Sequence, residues 1–122
     1  CIPLNVSAPF HCSLMEPAAK VMKDKINSVK FAKPIYDIVS NVTSKPENNP
    51  ESIKNLLVEQ ICSTVKWRES IINMFNSKVT NFVEIGPGKV LSGMVKRTVK
   101  NINCFSINSI DDMKNTTNEF KK

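Results

Sequence analysis

Apolar side chains recur at helical spacing in four parts of the chain, each time opposite polar or charged positions. The four apolar stripes are Leu14, Ala18, Met22, Ile26 and Val29; Ile53, Leu56, Leu57 and Ile61; Trp67, Ile71, Met74 and Phe75; and Val90, Leu91, Met94 and Val95. Ser13 and Glu16 form a capping-box pattern, which predicts that the first helix begins with Ser13 as N-cap. Asn49-Pro50 predicts the start of the second helix, since Asn favours the N-cap and Pro the first helical position.

Short apolar runs between these stripes predict strands. The predicted strands cover residues 2–6, 35–39, 80–85 and 102–107, residues 45–50 form a polar loop, and a last helix covers 111–120. Strands that alternate with helices predict an α/β fold with a mainly parallel sheet. The last strand–helix–strand pattern predicts a right-handed βαβ unit.

All three glycines lie in the window from Gly86 to Gly93, which contains the sequence Gly-Pro-Gly-Lys-Val-Leu-Ser-Gly. This concentration predicts a tight turn and a close backbone approach. A turn that opens a helix after a strand can bind phosphate, but neither the dinucleotide nor the phosphate-loop pattern is complete here. We expect the turn to be structural.

Composition and charge narrow the class of protein. The chain has 122 residues, enough for one domain, and a net charge of +6 from mostly dispersed lysines. It has no apolar run of membrane-spanning length and little aromatic surface for base stacking, so we expect neither a membrane nor a nucleic-acid partner. The four cysteines lie far apart, which argues against a zinc site and against a disulfide framework. We expect a protein that is not secreted, from the bacterial cytoplasm or from an organelle such as a plastid of an AT-rich eukaryote.

Two polar residues stand out as candidates for chemistry. His11 is the only histidine and lies where an extended segment meets a helix, so it is a candidate general base, although a histidine without a task is the commoner case. Gln60 falls on the second apolar stripe, where a polar group must lie at the edge or make a specific contact. Cys12 is an improbable nucleophile, because sequence neighbours at a helix start point apart. The residues alone therefore give a base with no nucleophile to activate.

Four segments together carry a family resemblance. They are residues 8–19 (Ala-Pro-Phe-His-Cys-Ser-Leu-Met-Glu-Pro-Ala-Ala), 39–43 (Val-Ser-Asn-Val-Thr), 57–60 with 65–67 (Leu-Val-Glu-Gln and Val-Lys-Trp), and 84–93 (Glu-Ile-Gly-Pro-Gly-Lys-Val-Leu-Ser-Gly). In this order and spacing the chain resembles the C-terminal part of the malonyl-CoA:acyl carrier protein transacylases and related acyltransferase domains. Because the chain starts at Cys1, we expect it to be a piece of a longer protein.

The resemblance implies the C-terminal part of an α/β-hydrolase-like parallel-sheet core. Residues 1–8 would end a small ferredoxin-like subdomain, and residues 9–122 would belong to the large acyltransferase subdomain. The family transfers malonyl from coenzyme A to a serine and then to the phosphopantetheine thiol of acyl carrier protein, with no metal or further cofactor. It assigns His11 as the base for that serine and the main-chain carbonyl of Gln60 as the acceptor that orients His11. Phe10 goes with malonyl rather than methylmalonyl specificity, or it packs in the core.

The resemblance also defines what this sequence lacks. The serine elbow, the arginine that binds the malonyl carboxylate and the oxyanion-hole segment are absent, so we expect the chain alone to be inert. We expect its partners to be acyl carrier protein and the missing N-terminal part of the same enzyme, or else a second copy of the chain. The alternative function is a non-catalytic basic module that docks an acidic protein through lysines such as Lys89 and Lys96.

Overall fold

The computed structural model describes residues 9–120. After a 3-10 turn at Ser13–Met15, the helices are α1 Glu16–Ser28, α2 Pro50–Glu59, α3 Trp67–Asn76, α4 Val90–Thr98 and α5 Ile110–Glu119. The strands are β1 Ile38–Val39, β2 Pro46–Glu47, β3 Asn81–Ile85 and β4 Asn103–Ile107. This is a mixed α/β fold, as predicted. The strand predicted at residues 2–6, and with it the subdomain boundary at residue 8, lies outside the described residues.

The chain divides into two compact units, residues 1–70 and 71–122, with the boundary inside α3. In the first unit, α1 packs against α2, and β1 pairs with β2 in antiparallel register, Ile38 opposite Glu47 and Val39 opposite Pro46. Only the last two residues of the predicted strand 35–39 are therefore extended in a sheet. The prediction of a polar loop at 45–50 is wrong at Pro46–Glu47, which form β2. A strand of two residues is too short to show alternating apolar and polar positions.

The sequence predicts the start of α2 correctly but not the start of α1. At α2 the prediction is confirmed: Oδ1 of Asn49 accepts hydrogen bonds from the N–H groups of Glu51 at 2.9 Å and Ser52 at 3.1 Å. At α1 the predicted capping box is wrong. Ser13 already lies inside the 3-10 turn, and the N–H of Glu16 donates to the main-chain oxygen of Ser13, so no side chain caps α1.

In the second unit, β3 and β4 pair in parallel register from Asn81 opposite Asn103 to Ile85 opposite Ile107. The helix between them, α4, packs on both strands, and α5 packs on β4. The buried side chains of α4 include Val95, which is 3% exposed. The predicted strand–helix–strand unit is thus present with parallel strands. Parallel pairing is confined to this unit among residues 9–120.

The glycine-rich turn joins β3 to α4. Gly86 has φ 134° and Gly88 has φ 100°, a region that L side chains rarely adopt, so the predicted tight turn is confirmed. Residues 9–120 do not show the predicted close backbone approach, because a Cβ atom at either position would meet none of their atoms within 4 Å. The two glycines are needed for their backbone angles rather than for lack of space.

Candidate active site

The backbone at His11 has an unusual conformation. Its φ is 58°, a left-handed value that is uncommon for residues other than glycine, and its side chain is exposed. Such conformations cost about 1–3 kcal/mol and persist where the surrounding structure holds them, often at functional sites. The 3-10 turn begins two residues later and is closed by a 3.0 Å hydrogen bond from the N–H of Met15 to the carbonyl of Cys12.

The imidazole of His11 contacts the residue that follows α2. Its Nδ1 atom lies 2.8 Å from the main-chain oxygen of Gln60. Because a carbonyl oxygen can only accept, this hydrogen bond requires a proton on Nδ1, and a neutral imidazole then has its lone pair on Nε2. The contact therefore selects the tautomer in which Nε2 can take a proton from another group.

The end of α2 explains why this carbonyl is available. Gln60 is the C-cap of α2, and the last carbonyls of a helix have no partner within the helix. The turn after the helix uses two earlier carbonyls, those of Val58 and Glu59, which accept from the N–H groups of Ile61, Cys62 and Ser63. The Gln60 carbonyl accepts from His11 instead.

The side chain of Gln60 is also engaged, which accounts for a polar residue on an apolar stripe. Its Oε1 accepts a hydrogen bond from Nδ2 of Asn41 at 3.3 Å, in a half-buried position. Of the two alternatives left by the sequence, edge or specific contact, the structure shows the specific contact. The structure therefore brings His11 and Gln60 together. It adds Asn41, which lies in the segment 39–43 of the resemblance but had been assigned no role.

The neighbours of His11 take different positions. Phe10 is 60% exposed, so it is not part of the buried core of the described residues. The thiol of Cys12 donates to the carbonyl of Pro9 at 3.1 Å. This hydrogen bond uses Cys12 locally and gives no support to a thiol–imidazole pair.

The glycine-rich turn does not offer a phosphate site. The carboxylate of Glu84 accepts hydrogen bonds from the N–H groups of Leu91 at 3.1 Å and Ser92 at 2.8 Å, in the first turn of α4. Hydrogen bonds from the side chain and N–H of Ser92, together with the N–H of Leu91, lower the pKa of Glu84 below its ordinary value of 4.5. An anion of the protein itself thus occupies the position where a phosphate would bind.

Residues 9–120 contain no group of three or more His, Cys, Asp or Glu side chains placed to hold a metal ion. None of the helices described there has both the length and the apolar character to cross a bilayer. Cys12, Cys62 and Cys104 are free thiols.

Comparison with known proteins finds relatives with one shared name. No model of a known protein family matches the chain. The malonyl CoA-acyl carrier protein transacylase of Haemophilus influenzae is 36% identical over 119 residues, which is 98% of this chain and 38% of the relative. That of Bacillus subtilis is 40% identical over 106 residues, 87% of this chain and 33% of the relative. The chain is similar to these malonyl CoA-acyl carrier protein transacylases over 87–98% of its own length and 33–38% of theirs.

Solved structures of such transacylases have a similar fold over the shared part. The acyl-carrier-protein S-malonyltransferase of Bartonella henselae matches with a TM-score of 0.91 and 38% identity, covering 98% of this chain and 38% of that one. A malonyl-transacylase in complex with a type II polyketide-synthase acyl-carrier protein matches with a TM-score of 0.89 and 34% identity, covering 97% of this chain and 38% of that one. The chain thus spans well under half the length of the relatives that it matches.

Proposed function

We propose that this chain forms the histidine-bearing, C-terminal part of an enzyme that transfers malonyl from malonyl-CoA to acyl carrier protein. The observation that carries the proposal is the 2.8 Å contact between Nδ1 of His11 and the carbonyl of Gln60. It gives a base with a defined tautomer, which is what acyl transfer through a serine requires. In this proposal, residues 9–122 belong to an α/β-hydrolase-like core, and residues 1–8 end a ferredoxin-like subdomain.

The proposed reaction has two halves that use His11 in the same way. Nε2 takes the proton of a serine outside this chain as the serine oxygen attacks the thioester carbonyl of malonyl-CoA. The tetrahedral intermediate expels the coenzyme A sulfur, which leaves with the proton from Nε2, and malonyl remains as a serine ester. In the second half, Nε2 takes the proton of the phosphopantetheine thiol, the sulfur attacks the ester, and the serine oxygen regains a proton.

The neutral carbonyl that accepts from Nδ1 performs part of the function of the carboxylate in other catalytic triads. It fixes the tautomer and the ring orientation, as the aspartate of a Ser-His-Asp triad does. It carries no full negative charge, so it stabilises the imidazolium less than a carboxylate would. The reaction needs no metal in this proposal, and the substrates are malonyl-CoA and phosphopantetheinyl acyl carrier protein.

The exposed apolar side chains support a partner for this chain. Ile35 is 91% exposed in the first unit, and Ile85, on β3 of the second unit, is 80% exposed. Isolated exposed apolar residues are ordinary, but strands of a parallel sheet are usually covered on both faces. We infer that the N-terminal part of the same enzyme covers β3. Acyl carrier protein is the proposed second partner, and the compartment is the bacterial cytoplasm or a plastid-like organelle.

The alternative, a non-catalytic basic module, has weaker support. Lys89 and Lys96 are both exposed, but they lie at opposite ends of α4, so they form no compact basic site. Lysines of this kind fit an auxiliary contact with an acidic partner better than a dedicated docking surface.

A chimera tests the proposed activity. In it, this chain replaces the matched third of the Bacillus subtilis relative, and transfer of radiolabelled malonyl from malonyl-CoA to holo-acyl carrier protein is measured. His11→Ala should lower kcat about 10²- to 10⁴-fold, the contribution of a general base. Gln60→Ala keeps the main-chain carbonyl and should lower kcat by about tenfold at most.

The control is Lys23→Ala, which changes an exposed side chain of α1 and should leave transfer unchanged. Circular dichroism verifies that each variant is folded. Undiminished transfer by a folded His11→Ala chimera would refute the proposal.

A further inference from the structure

Asn41 contacts both ends of the segment 60–66, which joins α2 to α3. Its side-chain Nδ2 donates to Oε1 of Gln60 at 3.3 Å, and its main-chain oxygen accepts from the N–H of Lys66 at 2.8 Å. Asn41 belongs to the Val-Ser-Asn-Val-Thr motif at residues 39–43, which has no part in the reaction described above. One residue thus holds both the start and the end of the segment whose first carbonyl binds His11.

The turn that carries Asn41 is itself well held. The N–H of Ser40 donates to the carbonyl of Lys45 at 3.1 Å, and the N–H of Ser44 donates to the carbonyl of Ser40 at 2.8 Å. Oγ of Ser40 also accepts from the N–H of Val42 at 3.1 Å, and the Val42 side chain is buried. Asn41 therefore presents its amide and its carbonyl from a fixed backbone.

The direction of the Gln60 carbonyl depends on contacts such as those made by Asn41. Gln60 lies at a helix end, where the last carbonyls have no partner inside the helix and the last turn tends to fray. Asn41 and Gln60 both line a cavity of 230 Å³, so Gln60 has open space beside it rather than close packing. Loss of the Asn41 amide would leave water as the replacement partner for Gln60, and water does not fix its orientation.

We propose that Asn41 is a positioning residue that clamps segment 60–66 and thereby keeps the Gln60 carbonyl directed at Nδ1 of His11. The effect on the His11 tautomer follows from geometry alone. The effect on catalysis rests on the proposed function.

The tautomer can be measured directly, because His11 is the only histidine of the chain. A long-range ¹⁵N–¹H spectrum at about pH 9, where an imidazole is neutral, gives the ratio of the Nδ1–H to the Nε2–H form. Asn41→Ala should lower this ratio about two- to tenfold, the factor that a net hydrogen-bond contribution represents. The matched control is Asn48→Ala, since Asn48 also donates its amide to a side chain, Asp37, at 3.0 Å, and it should leave the ratio unchanged.

A double-mutant cycle separates positioning from general stability. Gln60→Ala keeps the carbonyl but removes the partner of Asn41, so it should lower the ratio as Asn41→Ala does. The double variant should be no worse than either single variant. Asn41→Asp should restore the ratio, because the Gln60 amide can turn and donate to a carboxylate.

Two results would overturn the proposal. One is a ratio that stays at the wild-type value in folded Asn41→Ala. The other is additive losses in the double variant, which would mean that Asn41 acts without Gln60. If Asn41→Ala does not fold, the other two variants test the proposal. A lowered ratio in Gln60→Ala together with a wild-type ratio in Asn41→Asp would support it. Any other pair of results would refute it.

The chimera supplies the catalytic readout. Asn41→Ala should lower kcat about two- to tenfold and leave KM unchanged, since Asn41 orients the base and binds no substrate. A wild-type chimera without transfer activity would count against the proposed function, whereas the tautomer ratios would still report on Asn41.

Discussion

The same substitution, Gly→Ala, should change stability in opposite directions at the three glycines of the turn and helix. At Gly86 and Gly88, φ is 134° and 100°, and an added Cβ would meet no atom of the described residues within 4 Å. The cost there is purely conformational and should be about 1–3 kcal/mol per site. Gly93 lies inside α4, and its Cβ would be 3.7 Å from a guanidinium nitrogen of Arg97, an ordinary contact. Ala should therefore stabilise at this position by about 0.5–1 kcal/mol.

Urea unfolding of the chain, followed by circular dichroism, measures the three free energies of unfolding. The midpoint should fall for Gly86→Ala and Gly88→Ala and rise for Gly93→Ala. Since the substitution is the same at all three sites, the difference in sign isolates the backbone angle. A stability loss at Gly93, or none at both Gly86 and Gly88, would refute the reasoning.

Two further predictions concern Glu84 and Phe10. Because the pKa of Glu84 is lowered in the folded state, its stabilising effect is complete above the ordinary value of 4.5 and is lost as the pH falls through the folded pKa. Glu84→Gln should therefore make the free energy of unfolding depend less on pH on the acid side. Urea titrations between pH 2 and 6 measure this dependence. A variant curve parallel to that of the wild type would contradict this. In the chimera, Phe10→Ser should raise the rate with methylmalonyl-CoA relative to malonyl-CoA by about 5- to 150-fold, the effect of about 1–3 kcal/mol of steric discrimination. An unchanged ratio of kcat/KM values would remove Phe10 from the substrate site.

Local chemistry made parts of the fold predictable. The start of α2 follows from Asn49-Pro50, because capping depends on a few adjacent residues. The positive φ angles at Gly86 and Gly88 follow from glycine itself. The capping box at Ser13 failed because a 3-10 turn precedes α1, and nothing in the pattern separates the two kinds of turn.

The candidate site was predictable only in part. His11 stood out by its rarity and position, and the resemblance paired it with Gln60. The hydrogen bond between Asn41 and Gln60 joins residues 19 positions apart, and such a pair leaves no periodic signal in one sequence. Glu84 was missed as the cap of α4 for the same reason, since its partners follow seven and eight residues later, across the turn.

The most direct test of the account is the tautomer of His11 in the unmodified chain. The central claim is that Nδ1 donates to the carbonyl of Gln60, which leaves Nε2 free to act as the base. A long-range ¹⁵N–¹H spectrum at about pH 9 should show a single imidazole that is mainly in the Nδ1–H form. A spectrum dominated by the Nε2–H form would contradict the claim, because that tautomer cannot donate to Gln60 and has no lone pair on Nε2.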